Sequence, residues 1–165
     1  MTVQPWEKPL RSEYRKNVDI FNNALQVVEK VCQRTALENL FPKNTPRLIS
    51  RMKSEDGVVE IVKRKFKNND IFKKWIGAKN FTAILFDDSG IGDLIGMGLI
   101  FTHVDDYDTI VDKFVSNFLV GKNKCQIIKG RDIKNRESGY KAIHSHVFVP
   151  IEHKGKSYKV HSKFR

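Results

Sequence analysis

GDLIGMGLIF, residues 92–101, is the stretch whose reading decides the fold. The run 94–101 is apolar on both faces, as expected of a central β-strand covered on two sides. Upstream, FTAILFDDSGIG breaks at Asp87–Gly92. Downstream, VDDYDTIVDKFVSNFL places Tyr107, Ile110, Val111, Phe114 and Phe118 at helical spacing, which predicts an amphipathic helix crossing over to the next strand.

Working outward, KCQIIKG reads as that next strand and RDIKNRESG as a polar loop. YKAIHSHVFVP and SYKVHSKFR read as two further strands joined across HKG. On the other side, Tyr14, Val18, Phe21, Leu25, Val28 and Cys32 recur at three- and four-residue steps, predicting one helix from about residue 11 to the late thirties that FPKNTP ends. Residues 1–10 read as flexible. RLISRMK alternates as a short strand, Ser54 caps the helix EDGVVEIVKRKFK, and DIFKKWIG forms a second short helix. The expected architecture is a single α/β domain over 1–165, a mixed sheet of about five strands flanked by helices.

The chain has 165 residues, a net charge of +11 and 40% apolar residues with 10% aromatics, which suits one folded domain and excludes a disordered one. The charge favours an anionic partner: nucleotide phosphate, nucleic acid or an acidic surface. Cys32 and Cys125 stand in no metal-ligand or redox spacing. The opening MTVQPWEKPLRSEYRK has no apolar core of a secretory leader, and no run approaches membrane-spanning length, so a cytoplasmic protein with no membrane partner is expected.

Four segments carry polar residues that a plain domain does not need. In RMKS, Arg51 and Lys53 share one face of a strand end and Ser54 opens the next helix, which makes either a polyphosphate site or a solvated basic edge. Asp93 follows Gly90 and Gly92 at the mouth of the central strand, where a carboxylate suits Mg²⁺ on a phosphate or a local turn bond. The basic loop holds Arg131, Lys134 and Arg136, able to clamp phosphate or simply to be solvated. In GYKAIHSHVFVP, Tyr140 is placed to stack on a base with Lys141 and His144 beside it, while His144 and His146 lack the further ligands a zinc site needs.

In order, RMKS with its helix, GDLIGMGLIF with its crossover helix, and GYKAIHSHVFVP before a last strand resemble the synthetase domain of RelA/SpoT-type (p)ppGpp synthetases. That family carries R-x-K-S, D-x-x-G-x-R-I-I, G-Y-x-S-L-H and E-x-Q-x-R. The resemblance spans about residues 45–165 and implies a nucleotidyltransferase-like synthetase fold. It implies ATP phosphates on Arg51, Lys53 and Ser54, helped by Lys63, and Mg²⁺ on Asp93. It further implies a guanine nucleotide stacked on Tyr140 among Arg136, Lys141 and His144. The implied reaction moves pyrophosphate from ATP to the 3′-hydroxyl of GDP or GTP, as in alarmone synthesis.

Two positions depart from the pattern. Gly98 stands where the family has arginine, and His161 stands where it has the glutamate that helps hold metal or activates the hydroxyl. Lys159, His161, Lys163 and Arg165 share a strand face, so His161 is expected in the pocket, where imidazole serves as a base better than as an Mg²⁺ ligand. Asp87, Asp88 and Glu152 are the candidates to replace the carboxylate. Three readings follow: a pyrophosphokinase, a catalytically inactive nucleotide-binding regulator, or a toxin-type enzyme acting on tRNA 3′ ends. A homo-oligomer is compatible with each.

Overall fold

Strand β1 (Arg47–Met52) pairs antiparallel with β2 (Ile95–Ile100), and this pair sets the two faces of the sheet. Leu48, Ser50 and Met52 share a face with Leu99, Met97 and Ile95; Ile49 and Arg51 share the other with Gly98 and Gly96. The computed structural model describes residues 3–101, 112–113, 125–135 and 141–164, with backbone alone over 126–135 and 141–144.

Three more strands complete the sheet: β3 (Gln126–Asn135), β4 (Lys141–His153) and β5 (Lys156–Phe164), in the order β1-β2-β5-β4-β3. Among the described residues only β2 and β5 run parallel. The mixed five-stranded sheet matches the expected class, but β5 rather than β2 is central. The run 94–101 is apolar on both faces partly because Gly96 and Gly98 count as apolar. Its far end is open, with Ile100 53% exposed.

The expected long N-terminal helix is three helices: α1 (Glu7–Lys16), α2 (Val18–Val31) and α3 (Arg34–Leu40). Asn17 leaves helical geometry at φ −108° and ψ 5°, and its side-chain amide donates to the Glu13 carbonyl at 2.8 Å, taking an acceptor that the helix would otherwise use. Gln33, extended at φ −56° and ψ 147°, makes the second break. The spacing runs unbroken through Asn17 as far as Cys32, which is why the first two helices read as one. Residues 7–10, expected to be flexible, are helical: α1 begins at Glu7, and Trp6 and Leu10 are buried.

Helix α2 lies on the sheet face of Val147, Val149, Val160 and Met97, burying Ile20, Phe21, Ala24 and Val28. Ser50 donates to Glu29 of α2 across that interface. Helices α4 (Glu55–Asn68) and α5 (Asp70–Gly77) follow β1 as expected. Phe81–Phe86, unassigned in the sequence, is a short helix α6. Rings of Tyr14, Phe21, Phe86 and Tyr158 follow one another at 5.4, 5.5 and 5.2 Å, tying α1, α2, α6 and β5 into one core.

The polar loop expected from residue 131 begins later, because β3 runs on to Asn135 and carries Arg131 and Lys134 within the edge strand. Register shifts between Ile127 and Lys129 and between Lys129 and Asp132 mark bulges in that edge. The crossover helix expected from VDDYDTIVDKFVSNFL lies outside the described residues, apart from Asp112 and Lys113, which are helical. Among the described residues no helix is long and apolar enough to cross a membrane.

The β4–β5 hairpin closes through Lys154 and Gly155, both left-handed at φ 50° and 73°. That matches the turn whose twist suits a two-residue hairpin. A Cβ at Gly155 meets nothing within 4 Å, so its only cost is conformational. Gly155→Ala is therefore expected to destabilise the domain by about 1 kcal/mol without altering its spectrum, measured by urea unfolding.

Candidate functional site

The end of β1, the start of α4 and the entry to β2 meet at one point. Lys53 is fixed there by its backbone: its N–H donates to the Leu94 carbonyl at 2.8 Å and its carbonyl accepts from the Tyr14 hydroxyl at 2.5 Å. Its ammonium lies 3.1 Å from Asp93 Oδ2, with the two side chains only 14% and 26% exposed. The stem runs over the first turn of α4, with Lys53 Cγ 3.1 Å from where a Cβ of Gly57 would stand. Ser54 caps α4 by accepting from the Gly57 N–H at 3.1 Å.

Arg51 stands one strand step away and crosses β2 over Gly96; its Cγ and Nε are each 3.5 Å from where a Gly96 Cβ would be. The sequence-derived group Arg51, Lys53, Ser54 and Asp93 is thus gathered at one end of the sheet. Lys63 is not part of it. Its ammonium pairs with Glu7 at 3.3 Å and Glu60 at 3.4 Å, on the α1 side of α4.

Lys65 reaches the group instead. It donates to the Gly90 carbonyl at 2.8 Å and lies 4.8 Å over the Phe72 ring. Burial lowers its pKa, opposed by the Asp93 carboxylate. Helical spacing does not separate the two lysines, since 65 follows buried Val62 by three residues and 63 follows buried Val59 by four.

His161 enters from β5 on the opposite face to Val160 and Ser162, as the strand alternation requires. It is 8% exposed. Its ring rests on Gly92, where an added Cβ would lie 3.0 Å from Cε1, a contact tight enough that the ring would have to give by a few tenths of an ångström. His161 Nε2 is 3.0 Å from His146 Nδ1, and Phe148 packs its ring at 5.3 Å. Among the described residues its Nδ1 has no hydrogen-bond partner. Burial, then His146, push the His161 pKa down to about 4 despite Asp93, so the imidazole is neutral at pH 7.

Arg136 and Tyr140 lie outside the described residues. Lys141 and His144 are placed by backbone only, opposite Asn135 and Asp132 of β3. Of the candidate replacement carboxylates, Asp87 accepts from the Ser89 N–H at 2.9 Å in an exposed turn. Asp88 is exposed beside it, and Glu152 accepts from Ser157 near the hairpin turn. Gly98 leaves open space, its nearest neighbours being Ile49 atoms at 3.9 Å. A guanidinium is absent there, and the cation on this face comes from Arg51 over Gly96.

Among the described residues no three His, Cys, Asp or Glu side chains gather as a metal cage. Asp93 is one hard oxygen donor, which fits an Mg²⁺ ion that takes its remaining ligands from phosphate and water. The two imidazoles do not fit that ion. What the group offers as it stands is Lys53 paired with Asp93, Lys65 facing the same carboxylate, and Arg51 lying over Gly96.

No family model matches the chain, and no curated protein matches it in sequence. Among solved structures, the small alarmone synthetase 1 from Bacillus subtilis bound to its product pppGpp superposes with a TM-score of 0.62 at 15% identity, over 93% of this chain and 73% of that one. The same synthetase solved as such gives 0.60 at 15% identity, over 92% and 69%. A GTP pyrophosphokinase family protein from Streptococcus pneumoniae gives 0.61 at 15% identity, over 92% and 68%. The fold of this chain is therefore that of the small alarmone synthetases, as the order of its motifs leads one to expect.

The His161 environment has a measurable consequence. Folding depresses this pKa from 6.5 to about 4, so its stabilisation is complete above pH 6.5 and is lost as pH falls from 6.5 through 4. The loss is expected to reach about 3 kcal/mol, levelling off below pH 4. Urea unfolding of wild type and His161→Phe from pH 4 to 8 checks it, and a parallel dependence in both proteins would contradict it.

Proposed function

We propose that this chain is a nucleotide-binding domain of pyrophosphokinase type, whose reaction is transfer of pyrophosphate from ATP to the 3′-hydroxyl of GDP or GTP. The observation that carries the reading is the Lys53–Asp93 pair at 3.1 Å, set between Arg51 and the capped start of α4 in a fold shared with such enzymes.

Each part has a physical role. Lys53 and Arg51 offset the charge of the ATP phosphates, and the N–H groups opening α4 add a positive dipole end. Asp93 would hold Mg²⁺, which supplies further neutralisation of the triphosphate. Lys65 keeps the pocket cationic from behind. Tyr140 is the proposed stacking residue for guanine, with Arg136, Lys141 and His144 about the acceptor. In the transfer the 3′-oxygen bonds to the β-phosphorus, the bond from that phosphorus to the α,β-bridging oxygen breaks, AMP leaves and the hydroxyl proton passes to a base.

That last demand favours a second reading, nucleotide binding without turnover. His161 stands where a carboxylate is expected, and an imidazole with a pKa of about 4 is a weak proton acceptor. Its Nε2 already faces His146 at 3.0 Å. Binding needs only the cations and Asp93, while transfer needs a base that the described residues do not furnish well. The net charge of +11 also keeps a tRNA 3′ end among the acceptors worth testing.

One experiment separates these readings. Wild type and His161→Glu are incubated with labelled ATP, Mg²⁺ and GDP, GTP or deacylated tRNA, and pyrophosphorylated product is resolved for each acceptor. The proposal expects product with GDP or GTP, formed at least about tenfold faster by His161→Glu and abolished by Lys53→Ala. Nucleotide binding without product in either protein would support the regulatory reading, and product on tRNA alone would move the acceptor. Absence of both binding and product would overturn the reading altogether.

A further inference from the structure

We propose that Tyr14 of α1 is a positioning residue for the phosphate-binding cation Lys53, acting through the Lys53 carbonyl. The inference rests on the proposed nucleotide site, yet the bond that carries it belongs to the free protein. Lysine is a flexible point charge, and its usefulness at a defined phosphate depends on how firmly its backbone is held. Between β1 and the cap of α4, Lys53 has one N–H and one carbonyl to place. Leu94 takes the first at 2.8 Å and Tyr14 the second at 2.5 Å. The Leu94 bond ties the residue to the entry of β2, where Asp93 stands, and the Tyr14 bond ties it to α1.

Tyr14 is suited to this work by its surroundings. It is 5% exposed, its ring packs on Phe21 at 5.4 Å, and no freedom is left for the hydroxyl to swing away. Burial and the nearby Glu55 carboxylate raise its pKa, so the hydroxyl remains a donor through the physiological range. Helix α1 is in turn fastened to α4. Arg15 meets Glu55 at 2.6 Å, and Arg11 meets Glu55 at 2.9 Å and Asp56 at 2.6 Å.

Those ion pairs have a second effect at the same site. Glu55 and Asp56 favour the start of α4 but would repel an arriving phosphate. Arg15 and Arg11 hold the Glu55 pKa down to about 2, so it stays ionised, paired and neutralised. Helix α1 thus both aims Lys53 and quiets the acidic turn beside it, although it contains none of the motifs that mark the nucleotide site.

The test uses Tyr14→Phe, which keeps the ring packing on Phe21 and removes only the hydroxyl. In the free protein, NMR of the Lys53 side-chain ammonium is expected to show that signal moving toward the values of an unpaired lysine in Tyr14→Phe, while Val28 and Val62 methyl signals stay in place. An unmoved ammonium would overturn the proposal. With ATP, calorimetry on wild type, Tyr14→Phe, Lys53→Ala and the double variant is expected to show about fivefold weaker binding for Tyr14→Phe when Lys53 is present and no effect when it is absent. Equal losses in both backgrounds would overturn it. If wild type binds no ATP, the proposed function fails, and the ammonium signal still decides the role of Tyr14.

Discussion

The ion pair between Lys53 and Asp93 is the constraint around which this molecule is arranged. It joins the corner leaving β1 to the segment entering β2, and it does so largely away from solvent, at 14% and 26% exposure. Two charges so placed are worth keeping only where other groups share the cost of removing water. Here Lys53 is held at both backbone ends, and Lys65 adds positive potential at Asp93. The Lys53 ammonium is a group that a phosphate could take over from Asp93, with Lys65 still facing that carboxylate.

Beside this pair stands the point of tension. His161 is driven neutral by burial, rests on a glycine, and shares its Nε2 side with His146. An imidazole there brings no hard oxygen donor to stand beside Asp93. The same face carries Gly98 in place of a guanidinium, with Arg51 crossing at Gly96 instead. The cationic part of the site and its acid–base part are therefore in different condition, and binding and turnover need not go together in this chain.

Much of this was legible from residue order. Alternation in β1, β4 and β5 fixed which side chains share a face, because a one-residue slip would turn cations into the core. Ser54 followed by Glu55 and Asp56 marked the start of α4. Other features were hidden for definable reasons. Apolar spacing runs through Asn17 as far as Cys32, and no Pro or Gly stands at Asn17 or Gln33 to signal a break, so three helices read as one. Gly96 and Gly98 mimic buried apolar residues while leaving a face open. The family resemblance points to Lys63, and Lys65 goes unmarked because both lysines sit one turn beyond buried valines. Tyr14 fits the apolar spacing of the first helix, and its hydroxyl acts on a residue 39 positions away, a distance no local pattern carries.

The most direct measurement of the central claim is backbone amide NMR as ATP and then GTP are added with Mg²⁺. The account predicts the largest shifts at Lys53, Gly57, Gly92, Asp93 and Leu94, where the cations, the α4 start and the β2 entry converge. Shifts confined to other parts of the sheet, or none at saturating nucleotide, would contradict it.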